Sequence, residues 1–248
     1  MRSVFSYGRK VLALAAALLA VTAATGAGPA PAGRAPAPPP LPLPARMADT
    51  GGGSQLITAE APGLRSTTGR LTWWDLRGGR WVAAGSADAR FGANGLVDGA
   101  RREQGTSTTP TGLFDLPYAF GVAAAPAGTS YTYRRVTKRS WWCEDTASRS
   151  YNRWVEGLPE DCRAAESERL ADYPTQYAHA LVTGYNYERP VRGRGAGIFL
   201  HVNGRGATAG CVSVPAGAMR RILAWADPRR EPRLAVGTRA GGTGITRY

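Results

Sequence analysis

Ile198 to Pro215 reads Ile-Phe-Leu-His-Val-Asn-Gly-Arg-Gly-Ala-Thr-Ala-Gly-Cys-Val-Ser-Val-Pro, and the rest of the chain is best read around it. A short apolar run, Ile198 to Leu200, delivers His201. A loop with Gly204, Gly206 and Gly210 follows and ends in Cys211. A second apolar alternation, Val212 and Val214, leads into Pro215. The pattern predicts strand, loop, strand, with an imidazole at one end of the loop and a thiol at the other. A thiol attacks as thiolate, and a nearby histidine can take its proton at neutral pH. Gly210 lets the backbone pass close to a substrate carbonyl, and the N–H groups around Gly210 and Cys211 are candidate oxyanion donors.

These residues resemble the L,D-transpeptidase (YkuD-like) catalytic domain, which carries a strand-borne histidine, a glycine-rich loop and a Ser/Thr-His-Gly-Cys-hydrophobic box. His201 matches the histidine, Thr208-Ala209-Gly210-Cys211 the box and Val212 its hydrophobic residue. The form is similar to a divergent actinobacterial branch with a Thr-Ala-Gly-Cys box. Ala209 replaces the family's second histidine, and Ser213 stands where an arginine is often found. Far upstream, Thr109-Pro-Thr-Gly112 reads on its own as a turn feeding a strand. It also resembles the family's Thr-Pro-x-Gly-x-Phe segment. Ser140 to Asp145 and Ser148 to Val155 resemble the Trp-x-x-Asp and Tyr-Asn-x-Trp-Val elements of the same branch. The resemblance implies a mainly β, β-sandwich-like catalytic domain with one or two short helices. It implies Cys211 as nucleophile and His201 as base, a peptidoglycan stem peptide as substrate, and no metal or organic cofactor.

The chain has 248 residues, 43% of them hydrophobic, enough for one core-forming domain after trimming. Its net charge is +13, carried almost wholly by arginine: Lys10 and Lys138 are the only lysines. The excess fits either a GC-rich genome or attraction to anionic wall polymers. Dispersed arginines without a nucleic-acid module speak against nucleic acid as a partner, and a monomer is expected.

Residues 1–27 read as an export signal, with Arg2, Arg9 and Lys10 before the apolar run Val11 to Ala24. The run is short for a membrane span, which favours cleavage over a retained anchor. Residues 28–54, rich in Pro, Ala and Gly, read as an extended linker. Residues 55–248 are then the catalytic domain.

Within it, Leu71 to Leu76 and Trp81 to Ala84, joined by Arg77-Gly-Gly-Arg80, predict a β-hairpin. Trp73 and Trp74 face opposite sides, one toward the core and the other either lining a groove or packing. Residues 129–175 are irregular, with a strand expected over Tyr131 to Val136 and a short helix over Ala164 to Leu170. Tyr177 to Thr183 alternates like a strand. Met219, Ile222, Leu223 and Ala226 mark one helix face after Pro215, stopped by Asp227-Pro228. Arg233 to Gly237 is a last strand, and Ala240 to Tyr248 a loose tail.

Three cysteines in an exported chain leave one odd thiol. Oxidising surroundings favour a Cys143–Cys162 pair, which frees Cys211; a bridged Cys211 would end the catalytic reading. His179, in mid-strand, is either a packed histidine or a substrate-side group. Tyr185 and Asn186 at the end of that strand, and Thr208 and Ser213 beside the nucleophile, are candidate substrate contacts. The opposing reading is a wall-binding module with a dormant cysteine, which a buried, unreactive Cys211 would favour.

Overall fold

A computed structural model describes residues 41–241. The expected export signal, residues 28–40 of the expected linker and most of the tail fall outside these residues. Fourteen strands and one α-helix follow in order: β1 (Gln55–Ala61), β2 (Thr68–Arg77), β3 (Arg80–Arg90), β4 (Leu96–Asp98), β5 (Thr109–Asp115), β6 (Ala119–Gly121), β7 (Tyr133–Arg135), β8 (Ser140–Cys143), β9 (Arg153–Glu156), β10 (Ser167–Arg169), β11 (Ala180–Val182), β12 (Phe199–Val202), β13 (Val212–Val214), α1 (Ala216–Trp225) and β14 (Arg233–Thr238). The architecture is mainly β, as the sequence predicts. A mixed sheet runs β4-β5-β14-β1-β2-β3-β13-β12-β11-β6-β7, and a small sheet runs β10-β8-β9.

The hairpin β2–β3 turns at Gly78 and Gly79, whose φ values of 53° and 74° suit the two-residue turn that matches strand twist. A bulge at Trp73/Trp74 skips Ala84 in the partner strand. Trp73 is buried in the main core, over Gly85, where a Cβ would come within 2.2 Å of its ring. Trp74 packs with Leu43, Leu56 and Ala235 and donates Nε1–H to Thr58 Oγ1 at 3.0 Å. Both tryptophans therefore pack. Leu43 belongs to a 3-10 turn, Leu43–Arg46, inside the stretch expected to be linker; the chain begins to pack ahead of Gln55.

The strands β11, β12 and β13 lie at the centre of the site, and their two faces differ. Leu200, Val202, Val212 and Val214 point into the main core, where Met219, Ile222 and Leu223 of α1 cover them. Phe199 and Cys211 point the other way, into a second cluster with Phe120, Trp142, Leu170, Tyr177 and Ala180. That cluster is closed by the small sheet. Burying each large apolar side chain on either face contributes roughly 1.5–3 kcal/mol, so the strand pair is held from both sides.

Two local expectations change. Ala164 to Leu170 is not a helix: a 3-10 turn, Ala164–Glu166, leads into β10, and another, Leu170–Asp172, follows. Pairing of Ser167–Arg169 with β8 takes the backbone groups that a helix would use. The strand expected from Tyr177 shortens to Ala180–Val182, because Gln176–Ala178 forms a 3-10 turn with the Tyr177 N–H donating to Tyr173 O at 2.8 Å. A disulfide joins Cys143 and Cys162, and Cys211 is the free cysteine among the described residues.

Candidate active site

His201 and Cys211 are brought together by parallel pairing. Leu200 lies opposite Val212 and His201 opposite Ser213. Because side chains alternate, Cys211 and His201 share the face opposite the Leu200–Val212 pair, one diagonal step apart. Both line a cavity of about 170 Å³ with Glu168, Tyr173, Gln176, Tyr177 and the loop Gly204–Ala209. A cleft of this size admits the reacting end of a peptide rather than a whole ligand.

The imidazole is held by its own strand. His201 Nδ1–H donates to Val202 O at 2.7 Å, and a carbonyl can only accept, so Nε2 keeps its lone pair. The Tyr177 ring meets the imidazole edge-on, with centroids 5.5 Å apart. Burial pushes the His201 pKa down to about 4, partly offset by the Val202 carbonyl, so the ring is neutral and able to accept a proton at pH 7.

Cys211 is 7% exposed. Its thiol donates to Gly197 O at 3.2 Å, and the Phe199 N–H donates to Sγ at 3.3 Å. Burial, and then the Glu168 charge, hold the thiol well above its ordinary range, while Phe199 and Arg102 pull the other way. The resting pair is therefore a thiol beside a neutral imidazole.

The loop before Cys211 is tied from several directions. Thr208 Oγ1 donates to Cys211 O at 2.7 Å and accepts from the Gly210 N–H at 3.1 Å. One of the two expected oxyanion donors is thus already engaged in the resting geometry. Gly210 has φ 142°, and a Cβ there would meet Arg102 Nη2 at 2.7 Å and Thr108 O at 2.9 Å. The upstream Thr109 reaches the same point: its Oγ1 accepts from the Gly92 N–H at 2.7 Å and donates to Cys211 O at 3.3 Å. This is the physical use of the distant Thr-Pro-Thr-Gly segment.

The other expected substrate contacts lie elsewhere. Ser213 is fully buried and donates to Asn203 Oδ1 at 2.8 Å. His179 precedes β11 rather than sitting within it, and its Nδ1 lies 3.1 Å from Tyr133 Oη. Ala180, its neighbour, pairs with His201 and shares the Cys211 cluster, so His179 faces the other side. Burial, and then Arg220, lower the His179 pKa. Tyr185 is buried, with its hydroxyl 3.0 Å from Gly99 O and from Arg194 O. Asn186 clasps the following loop through Val191 and Gly195. Of the candidate contacts, Thr208 alone lines the cavity.

Sequence reading missed four residues that shape the site. Glu168 and Tyr177 line it. Gly197 accepts the thiol proton, and Asn152 orders Gly197 by accepting its N–H at 3.1 Å and the Trp142 Nε1–H at 2.8 Å. Asn152 has φ 57°, a conformation asparagine tolerates, and it falls in the Tyr-Asn-x-Trp-Val match, which was the one available signal.

The profile of the YkuD L,D-transpeptidase catalytic domain matches residues 65–239. The chain belongs to this family. The match spans the hairpin, the upstream threonine segment, the small sheet and the Cys/His strands, so the L,D-transpeptidase-type domain includes every wall of the cavity. Among solved structures, one described as "Structure of Bdellovibrio bacteriovorus Bd1075" is similar at 14% identity, with a TM-score of 0.36, over 77% of this chain and 50% of that one. This chain thus spans half the length of that one. No curated protein matches it significantly. L,D-transpeptidases act on the cell wall and are usually extracytoplasmic, and the Cys143–Cys162 disulfide is compatible with export. No described helix is long and apolar enough to cross a membrane, and no cluster of three His, Cys, Asp or Glu that could hold a metal occurs among the described residues.

Proposed function

We propose that the protein is an exported L,D-transpeptidase that cross-links peptidoglycan stem peptides through a thioester on Cys211. The observation that carries this is the placement of Cys211 and a neutral, backbone-oriented His201 on adjacent parallel strands, in one small cavity. The Cys211 Sγ–H gives its proton to His201 Nε2 as the sulfur attacks the carbonyl of the L-centre-to-D-residue bond. The C–N bond breaks, and the imidazolium returns the proton to the departing amine of the D-residue. Burial of both groups keeps the neutral pair as the resting state, and a bound carbonyl gives the developing charge its stabilisation. The Cys211 N–H is one donor for that oxyanion, joined by Gly210 when Thr208 lets it go. An amine from a second stem then resolves the thioester into a cross-link; water in its place makes the same site an L,D-carboxypeptidase. Residues 1–27 direct export, residues 28–54 space the domain from the envelope, and the arginine excess favours anionic wall polymers. The domain works as a monomer without cofactor.

Intact-protein mass spectrometry with a synthetic stem tetrapeptide tests this. Wild type gains the mass of the tripeptide acyl group, while Cys211→Ala and His201→Ala gain none. A Cys211→Ala protein that still trims or joins the peptide would remove the mechanism. A second reading, a wall-binding module with a dormant cysteine, draws on the burial of Cys211 and its raised pKa. It expects retention on isolated wall and no acyl adduct in any variant.

A further inference from the structure

Glu168 stands in the same cavity as Cys211 and His201, and the acylation step gives it nothing to do. It projects from β10, opposite Trp142 of β8, and accepts the Tyr177 hydroxyl at 2.5 Å. Glu144 lies beside it, just past the end of β8, with its N–H donating to Ser167 Oγ at 3.3 Å. Among the described residues neither carboxyl has a basic nitrogen within 4.0 Å, although the nine ion pairs that do form engage other acids throughout the fold. This is notable in a chain with 31 Lys and Arg against 18 Asp and Glu. Burial raises both carboxyls, Glu144 to about 8 with the Glu168 charge adding and Arg102 opposing, and Glu168 with the Tyr177 hydroxyl opposing. A desolvated pair of acids with no cation in contact is stabilised by an external one. The groups facing the thiol are then His201, Tyr177, Glu168, Glu144 and Arg102, and Arg205 is the one Lys or Arg side chain lining the cavity.

We propose that Glu168 is the acceptor-side residue of this site: it binds the ammonium of the incoming acyl acceptor and takes one of its protons, so that an amine outcompetes water at the Cys211 thioester. The inference rests on the cysteine acyl-transfer reading above and concerns its second half. The acceptor ammonium gives one proton to the Glu168 carboxylate and becomes a free amine. Its nitrogen forms a bond to the thioester carbonyl, and the C–Sγ bond breaks with the electron pair leaving on sulfur. A second nitrogen proton passes through His201 to the thiolate. Thioester and ammonium become amide, thiol and one proton, now on Glu168. Tyr177 holds the carboxylate in place.

The test uses the purified full chain with the stem tetrapeptide as donor and the same peptide, through its free amine, as acceptor. Thioester is followed by intact mass, and dimer and hydrolysed tripeptide by chromatography with mass detection. Glu168→Gln keeps or quickens thioester formation, because a charge that holds the thiol up is gone. Its dimer-to-tripeptide ratio falls at least tenfold, within the roughly 10²–10⁴-fold span of general acid–base effects. Tyr177→Phe lowers the ratio less. Hydroxylamine, uncharged at neutral pH, is acylated equally by wild type and Glu168→Gln. A folded Glu168→Gln protein with an unchanged ratio overturns the proposal, as does a matching fall with hydroxylamine, or a wild type that acylates and only hydrolyses. A wild type that never forms the thioester fails at the earlier step, and both readings fall together.

Discussion

Acidification from pH 7 to pH 4 titrates His201 against its surroundings, and the structure sets the size of the effect. The ring is 5% exposed, between the Tyr177 edge and the sheet, and burial lowers its pKa from 6.5 to about 4. Between those two values the unfolded chain carries a proton on this histidine and the folded chain does not. Stability from this group is therefore fully present above pH 6.5 and is lost as pH falls toward 4. At about 1.4 kcal/mol per pH unit, the loss amounts to about 3 kcal/mol. Denaturant unfolding of wild type and His201→Gln at pH 7.0, 6.0, 5.0 and 4.0 isolates it. The variant keeps a neutral side chain of similar reach, and every other titrating group, including the raised Glu144 and Glu168 and the lowered His179, cancels in the difference. Wild type should lose about 3 kcal/mol more than the variant, nearly all of it below pH 6.5. Two stability curves that run parallel down to pH 4 would refute the claim that His201 is buried and neutral, and with it the base role proposed for it.

Two further outcomes follow from the loop and the small sheet. Gly210→Ala places a Cβ within 2.7 Å of Arg102 at φ 142°, a strain of order 1–3 kcal/mol before any clash, so its melting point should drop by several degrees and the acyl adduct on Cys211 should be lost; a variant of unchanged melting point and full acylation rate contradicts the packing described. Replacing Cys143 and Cys162 by serine opens a loop with a sequence separation of 19, which costs about 3 kcal/mol by chain entropy, and calorimetry in the presence of reductant should show wild type falling to the variant's melting point.

Much of the strand pair that carries His201 and leads out of Cys211 was legible from residue order. Period-two alternation, a glycine loop and the two chemistry-bearing residues predict strand, loop, strand, and the fold places β12 and β13 there. Gly78-Gly79 predicts its hairpin, and Met219, Ile222 and Leu223 predict the buried face of α1, because these signals act over a few residues. The short helix expected at Ala164 to Leu170 failed for a nonlocal reason. Those residues have an adequate local preference for helix, but β8 offers a ladder of backbone partners from more than twenty positions away. The strand at Tyr177 shortened for a related reason, since its ring and hydroxyl are claimed by the Cys211 cluster and by Glu168.

By itself, then, the sequence singled out Cys211 and His201 as the candidate pair, and it indicated the family, the hairpin, the late helix and the cysteine pairing that leaves Cys211 free. Each rests on residue type and short spacing. Tertiary structure alone decided that Thr109 braces the Cys211 carbonyl, that His179 lies on the other face of the sheet, that Ser213 is buried against Asn203, and that Glu168 lines the cavity. These facts depend on which face of a strand a residue occupies once strands far apart in sequence pair. A one-residue slip of β13 against β12 would carry Cys211 to the face opposite His201.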